Sequence, residues 1–369
     1  MNVCVTGATG FVGAHVVRAL CERGDDVRIT YRDPRRLSAL GGLETRRARA
    51  DVFDHRALRR AFKGCEVVFH TVGYVGSRPA DLAWRVNAES PLVAVEAAAA
   101  AGCRRVVITS TISAVGLGSG ATPADEGTGY PRDWLGLTYP DSKHQGERVA
   151  LDAAERHDIE VVVVNPAYVL GVAVDRSRPN QTSTRTIGNY LRGRLPAVID
   201  APMNFVDVED VASGHLLAAD RGRPGERYIL GGTNMRWPDL IDRVAELSEV
   251  HHPVVVLPRQ VAQLAQAREA VGLPGPLPAE AYALMAQDWR FSSEKARSEL
   301  GYRSRPLDHT LRSTIDWYTD LLGRRVFEGA ARSSLSTLAA GTRLLARLHL
   351  LEPLKLGQRI AGRRVIAGV

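Results

Sequence analysis

Over the first 165 residues, short apolar runs alternate with stretches of helical periodicity, the pattern of successive strand–helix–strand units and a parallel sheet. The runs predict strands over residues 3–6, 27–31, 67–70, 105–110 and 160–165. A weaker strand covers 44–50, where Arg46, Arg47 and Arg49 interrupt the apolar content. Helices are predicted over 11–23, 55–62, 80–101 and 139–156; the third ends in an alanine-rich stretch of high intrinsic helix propensity. Beyond Pro166 the pattern loosens into a segment over 171–206 rich in Pro, Gly, Ser and Thr, with one helix near 184–192. A short strand then turns into a helix across 204–212 with Asp207 as its cap, strands follow at 228–230 and 253–257, and a helix at 307–322. The fold these elements imply is α/β. A doubly wound parallel sheet of the Rossmann kind takes residues 1–170, with 203–222 returning to it. A smaller C-terminal substrate lobe covers 171–323, and an extension runs over 324–369.

The first crossover carries candidate chemistry. Gly7, Gly10 and Gly13 stand three residues apart, directly after a strand and opening a helix. Gly7 permits the tight turn, Gly10 lets the backbone approach a pyrophosphate, and Gly13 lets the helix pack on the sheet. The helix N-terminus offers unsatisfied N–H groups to the phosphates. NAD-binding folds of this kind end the second strand with an acid for the ribose 2′-hydroxyl. Here the chain has Tyr31-Arg32, with Arg35 and Arg36 close behind. Arg32 and Arg35 suit a 2′-phosphate, so NADP(H) is the expected cofactor and NAD(H) the alternative; a solvated arginine face is the competing reading. Asp51, followed by Val52, is placed either to bond adenine or to cap a turn.

Tyr139 and Lys143 lie four residues apart and share one face of a helix. A nearby ammonium favours the phenolate and lowers the phenol pKa, which makes Tyr139 a candidate general acid or base. The chain has only four lysines (Lys63, Lys143, Lys295 and Lys355), so Lys143 is not background surface charge. After the fifth strand the run Thr109-Ser110-Thr111-Ile112-Ser113 brings hydroxyls to the strand end that faces a ligand crevice.

With Asn165-Pro166-Ala167 after the sixth strand, these motifs resemble the extended short-chain dehydrogenase/reductase superfamily. Within it the chain resembles the NAD(P)-dependent epimerase/dehydratase group, with its dihydroflavonol-4-reductase-like and hopanoid-associated sugar epimerase-like members, over residues 1 to about 320. The resemblance implies that Tyr139 is the acid/base and that Lys143 lowers its pKa and bonds the nicotinamide ribose. It implies Thr111 as the catalytic hydroxyl, with Ser110 and Ser113 as rivals. Thr9, Phe11 and Val12 fall in the phosphate-binding turn, and Thr71, Val72 and Gly73 in the segment that passes the cofactor, where Ala is more usual than Gly73. Asn87 matches a residue that steadies the site, and Pro166, Ala167 and Val169 match the loop lining the nicotinamide. The activity implied is hydride transfer between a nicotinamide cofactor and a carbonyl or secondary alcohol. A sugar or nucleotide-sugar epimerase or dehydratase with tightly bound NAD is the runner-up, and an NADPH-binding sensor or scaffold is the non-enzymatic alternative.

Composition narrows the rest. Of 369 residues, 45% are hydrophobic and 24% charged, which excludes collagen-like, disordered and disulfide-scaffold classes. Cys4, Cys21, Cys65 and Cys103 have no metal or disulfide spacing, so no metal is expected. The net charge is +7, and residues 324–369 hold nine Arg/Lys against two Asp/Glu, so the body is balanced and nucleic acid is not an expected partner. The extension reads as an amphipathic helix over 331–348, with Leu335, Leu338, Leu345 and Leu348 on one side and Arg332, Arg343 and Arg347 on another. Such a helix suits an anionic membrane surface, or docking on the body or on a second copy of the chain in a homodimer. The start of the chain has no leader-like pattern, so a cytoplasmic location is expected, with membrane contact through the tail. Segments 75–81, 115–138 and 168–202 should frame a small-molecule substrate. Their Tyr130, Trp134, Leu135, Tyr168 and Tyr190, with the neighbouring Tyr74, lean toward an apolar or cyclic one, although Arg178 and Arg185 could serve a diphosphate.

Overall fold

The computed structural model describes residues 1–118, 122–179, 183–273, 275, 277–325, 334–347 and 364–368. The first six strands are β1 (Asn2–Thr6), β2 (Asp26–Tyr31), β3 (Arg46–Arg49), β4 (Val67–His70), β5 (Arg105–Thr109) and β6 (Glu160–Pro166). They are followed by β7 (Tyr168–Leu170), β8 (Ala197–Ile199), β9 (Pro202–Asp207), β10 (Arg227–Leu230), β11 (Thr233–Arg236), β12 (Val254–Leu257) and β13 (Ile366–Ala367). Seven strands form the central sheet in the order β10-β6-β5-β4-β1-β2-β3, and every pairing in it is parallel. This is the Rossmann arrangement, and the strand order reverses between β1 and β4, where such sheets open a ligand crevice at their carboxyl ends. Two small sheets, β11-β9-β7 and β13-β12-β8, stand beside it.

The helices are α1 (Phe11–Glu22), α2 (His55–Phe62), α3 (Ala80–Trp84), α4 (Ser90–Ala100), α5 (Thr138–His157), α6 (Arg185–Leu191), α7 (Val208–Arg221), α8 (Trp237–Ser248), α9 (Val261–Ala270), α10 (Ala279–Met285), α11 (Leu307–Gly323) and α12 (Ser334–Arg347). They cover both faces of the sheet, and the strand alternation shows how. Val3 and Val5 of β1 enter one core with Val16 of α1 and Val211 of α7. Cys4, between them, enters the other with Leu58 of α2, Val95 of α4 and Ala150 of α5. Both faces of β1 are therefore dry, which is why it reads as an unbroken apolar run.

Three segments depart from the sequence pattern for identifiable reasons. The predicted helix over 80–101 is interrupted by a π turn over Arg85–Glu89. Pro91 enters at the first turn of α4 with no N–H to donate, and the Ser90 hydroxyl bonds the Val86 carbonyl at 2.6 Å. β3 is shorter than the predicted 44–50 and lies at the sheet edge, where its arginines face water and discourage pairing with other chains. The end of the chain does not trail away. Ile366 pairs with Val255 in an antiparallel ladder, and Arg364 bonds Asp239 at 2.5 Å. Tyr190, expected at the substrate, is instead wholly buried and donates to the carbonyls of Val250 at 2.8 Å and Gly368 at 3.1 Å.

In the extension, α12 buries Ala339 and exposes Leu338, Leu344 and Leu345. Arg332 and Leu348 lie outside the described residues, as do the side chains of Leu335, Arg343 and Arg347. Among the described residues no helix is long and apolar enough to cross a membrane.

Candidate active site

The turn after β1 is built on close approach. Gly7 has φ +74°, in the left-handed region, and its carbonyl accepts from Gly10 N at 2.8 Å. A Cβ at Gly7 would sit 2.8 Å from the Thr71 backbone, and one at Gly13 would sit 2.3 Å from the Gly7 carbonyl oxygen. The Thr71 hydroxyl bonds the Thr6 carbonyl at 2.7 Å and so seats the β4 end against the turn. α1 starts with Gly10 as its N-cap, which is exposed, with no side-chain cap and no acid in the first turn. Thr9, Phe11 and Val12 are half-buried around it. The first N–H groups of α1 are thus left to water or a ligand, and the site fits a pyrophosphate.

At the outer end of the crevice, Arg32 and Asp51 line a cleft of about 630 Å³ with Phe53, Arg56 and Arg85. Arg32 is 76% exposed, with Nη1 4.0 Å from Asp51 Oδ2. Arg35 is engaged elsewhere: its guanidinium forks onto Asp33, with Nε–Oδ1 and Nη2–Oδ2 both at 3.0 Å. Asp51 Oδ1 accepts from Phe53 N at 3.0 Å, so one oxygen caps the turn and the other faces the cleft; Val52 between them is half-buried. The Arg85 guanidinium lies 4.4 Å over the Phe53 ring.

The Tyr139–Lys143 pair lies on α5. Asp141, in its first turn, accepts from Leu135 N at 3.0 Å, Leu137 N at 2.9 Å and Tyr130 Oη at 2.5 Å, which ties the preceding loop to the helix start. Two residues earlier stands Tyr139, with the Thr111 hydroxyl close enough to favour the anion of its phenol. Thr111 in turn caps the 3₁₀ turn over Ile112–Ala114 and lies 3.3 Å from Ser113 Oγ. Ser110, another hydroxyl of the run, is buried and its Oγ makes no hydrogen bond. Lys143 is buried, and its Nζ donates to the carbonyls of Thr109 at 3.0 Å and Val72 at 3.3 Å. Gly73 leaves room for it, since a Cβ there would come within 3.0 Å of Nζ. Thr71, Val72 and Gly73 thus join the glycine turn to the lysine directly.

Asn87, in the π turn, accepts from Tyr74 N at 2.8 Å and donates to Tyr74 O at 3.0 Å and Ser142 Oγ at 3.1 Å. Its backbone meets α5 so closely that a Cβ at Gly146 would lie 2.1 Å from the Asn87 carbonyl oxygen. At the inner end, Pro166 and Ala167 are buried and Val169 is half-buried on β7, and Asn165 Nδ2 holds the Thr111 carbonyl at 2.9 Å.

The electrostatics differ from the sequence expectation. Burial holds the Tyr139 phenol above its ordinary value, with the nearby Thr111 hydroxyl partly opposing. The Lys143 ammonium makes its hydrogen bonds to two backbone carbonyls. Burial lowers Lys143 itself to about 8, with Glu147 opposing. Not singled out from the sequence were Ser142 and Glu147, which follow Tyr139 and Lys143 at helical spacings of three and four, and Asp141, which faces the loop before α5 instead.

Fold, turn and Tyr–Lys face define a nucleotide-cofactor enzyme of the α/β class. The NAD dependent epimerase/dehydratase family matches residues 3–231, and the chain belongs to that family. The chain is 32% identical over 329 residues to "Sterol demethylase protein B" of Methylococcus capsulatus, covering 87% of this chain and 99% of that one. It is 30% identical over 325 residues to a putative dihydroflavonol 4-reductase of Synechocystis, covering 85% and 93%. The crystal structure of a nucleoside-diphosphate-sugar epimerase from Pseudomonas aeruginosa superposes with a TM-score of 0.73 at 28% identity, covering 87% and 98%. The protein is accordingly an NAD(P)-dependent oxidoreductase or epimerase/dehydratase.

Proposed function

We propose that the protein is an NADP(H)-dependent reductase of a small, cyclic carbonyl substrate, with Tyr139 as its proton donor. The observation that carries this reading is the placement of Tyr139 beside the Thr111 hydroxyl, on a helix face whose Lys143 is tied to Val72 next to the glycine turn. A bound nicotinamide supplies the hydride. Gly7 to Gly13 would hold its pyrophosphate, and Lys143 its ribose. Thr111 orients the substrate oxygen, and Tyr139 gives it a proton. A phenol held protonated by burial suits an acid, which favours the reductive direction at neutral pH. Relatives named for sterols and dihydroflavonols support an apolar cyclic substrate.

NADPH oxidation against ketones, flavanonols, steroids and keto-sugars tests the reading: one oxidised cofactor per alcohol formed is expected. The similarity to a sugar epimerase favours a second reading. Isolation with stoichiometric bound NAD and no net cofactor consumption would establish that one and sink the first.

Arg32 carries the NADP(H) preference, since Arg35 is spent on Asp33. Arg32→Glu is expected to weaken NADPH about 10- to 100-fold in fluorescence titration and leave NADH within about threefold. Equal losses for both cofactors would remove Arg32 from that role.

The exposed Leu338, Leu344 and Leu345 of α12, with the basic excess of the extension, support peripheral contact with anionic lipid at the inner membrane face of a cytoplasmic enzyme. Leu338→Glu/Leu345→Glu is expected to abolish sedimentation with phosphatidylglycerol vesicles. If that variant still sediments with the vesicles, or the wild type never does, the contact is a protein one.

A further inference from the structure

Behind Tyr139 and Lys143, the next position on the same helix face is Glu147, with only 1% of its surface exposed. Its Oε1 accepts from Asn165 Nδ2 at 2.6 Å, and the same amide donates to the Thr111 carbonyl at 2.9 Å. Two hydrogen bonds therefore run from Glu147 to Thr111, whose hydroxyl lies near the phenol. Oε2 is buried without a hydrogen bond, 3.4 Å from Arg227 Nη2 of β10. Ser110 Oγ, at the end of β5, is likewise buried and unpartnered. A carboxylate this dry is expensive to keep, and an apolar side chain of similar volume is often no worse for stability. Its place on α5 points to function. The charged and titratable groups facing it are Lys143 from its own helix, Arg227 from β10 and Tyr130 from the segment before α5. Burial raises Glu147, while Arg227, Ser110, Asn165 and Lys143 all favour its anion.

We propose that Glu147 is a positioning residue of the site: its carboxylate is the counter-charge of the Lys143 ammonium, and through Asn165 it holds the Thr111 backbone. It touches neither substrate nor cofactor. The proposal rests on the reading of Tyr139, Thr111 and Lys143 given above.

The chain's four lysines make the test direct. Protein grown with [ε-¹³C]lysine gives one resonance per lysine, and Lys143 is identified by its loss in Lys143→Arg. Glu147→Gln keeps an acceptor for Asn165 and removes only the charge. In this variant the Lys143 midpoint, near 8 in the wild type, is expected to fall by at least about one pH unit, while Glu147→Asp restores most of it. Should Glu147→Gln fail to fold, Glu147→Met/Arg227→Met removes both charges, and the same fall is expected. A folded variant of either kind with an unmoved Lys143 midpoint overturns the proposal. Turnover separates it from the underlying reading. A Tyr139→Phe enzyme of undiminished rate sinks that reading alone, because the lysine titration needs no substrate.

Discussion

Tyr139→Phe is expected to lose about 10²- to 10⁴-fold in kcat on any carbonyl the NADPH screen yields, with cofactor affinity unchanged. The ring stays half-buried on α5, and only its hydroxyl is removed. Even a full hydrogen bond contributes about 0.5–1.5 kcal/mol to stability, too little to unfold a protein of this size. Loss of rate in a folded, cofactor-binding variant therefore reports proton donation. The wild type carries an independent signature. With Lys143 near 8, its ammonium is fully present below that pH and is lost as pH rises through it, so the reductive rate should fall on an alkaline limb close to 8. A Tyr139→Phe enzyme turning over at the wild-type rate would remove Tyr139 from the acid/base role and require another proton donor.

What the sequence made legible follows from how local each constraint is. Gly7 and Gly13 must be glycine because of a positive φ and a carbonyl 2.3 Å from any Cβ, and a requirement of that kind is written at the position itself. The Tyr139–Lys143 spacing is likewise a property of one helix. Spacing states that two side chains share a face, but not where the ammonium's protons go. The carbonyls of Val72 and Thr109 come from the ends of β4 and β5, far away in the sequence, and the burial that raises the phenol is likewise a tertiary property. Arg35 looked like a phosphate ligand because spacing alone does not show that its guanidinium turns back onto Asp33. The π turn that carries Asn87 hid inside the helix predicted over 80–101, and Pro91 was its one local sign. The pairing of Ile366 with Val255 spans most of the C-terminal third of the chain and has no local pattern at all. That distant strand, with Gly368, also turned Tyr190 from an expected substrate contact into a buried anchor.

The glycine turn allows stability and cofactor binding to be separated by two substitutions three residues apart. Gly13→Ala puts a methyl 2.3 Å from the Gly7 carbonyl oxygen and 2.5 Å from Thr71 Oγ1. Neither neighbour can withdraw: the Gly7 carbonyl is held by Gly10 N, and the Thr71 hydroxyl is bonded to Thr6. α1 must then move off β1, at a cost of about 1–3 kcal/mol or more, and Tm should drop by several degrees. The same movement misaims the N–H groups at the start of α1, so NADPH affinity should fall at least about tenfold. Gly10→Ala differs in kind. Its Cβ meets only the Gly7 carbonyl oxygen at 3.2 Å and otherwise points into the space above the turn. Its Tm should stay within about 2 °C of the wild type while NADPH binding is lost, because the methyl stands where a pyrophosphate would approach. Calorimetry and fluorescence titration of the two variants decide the matter. If Gly10→Ala binds NADPH as the wild type does, the phosphates do not lie over this turn, and the crevice between β1 and β4 would need another occupant.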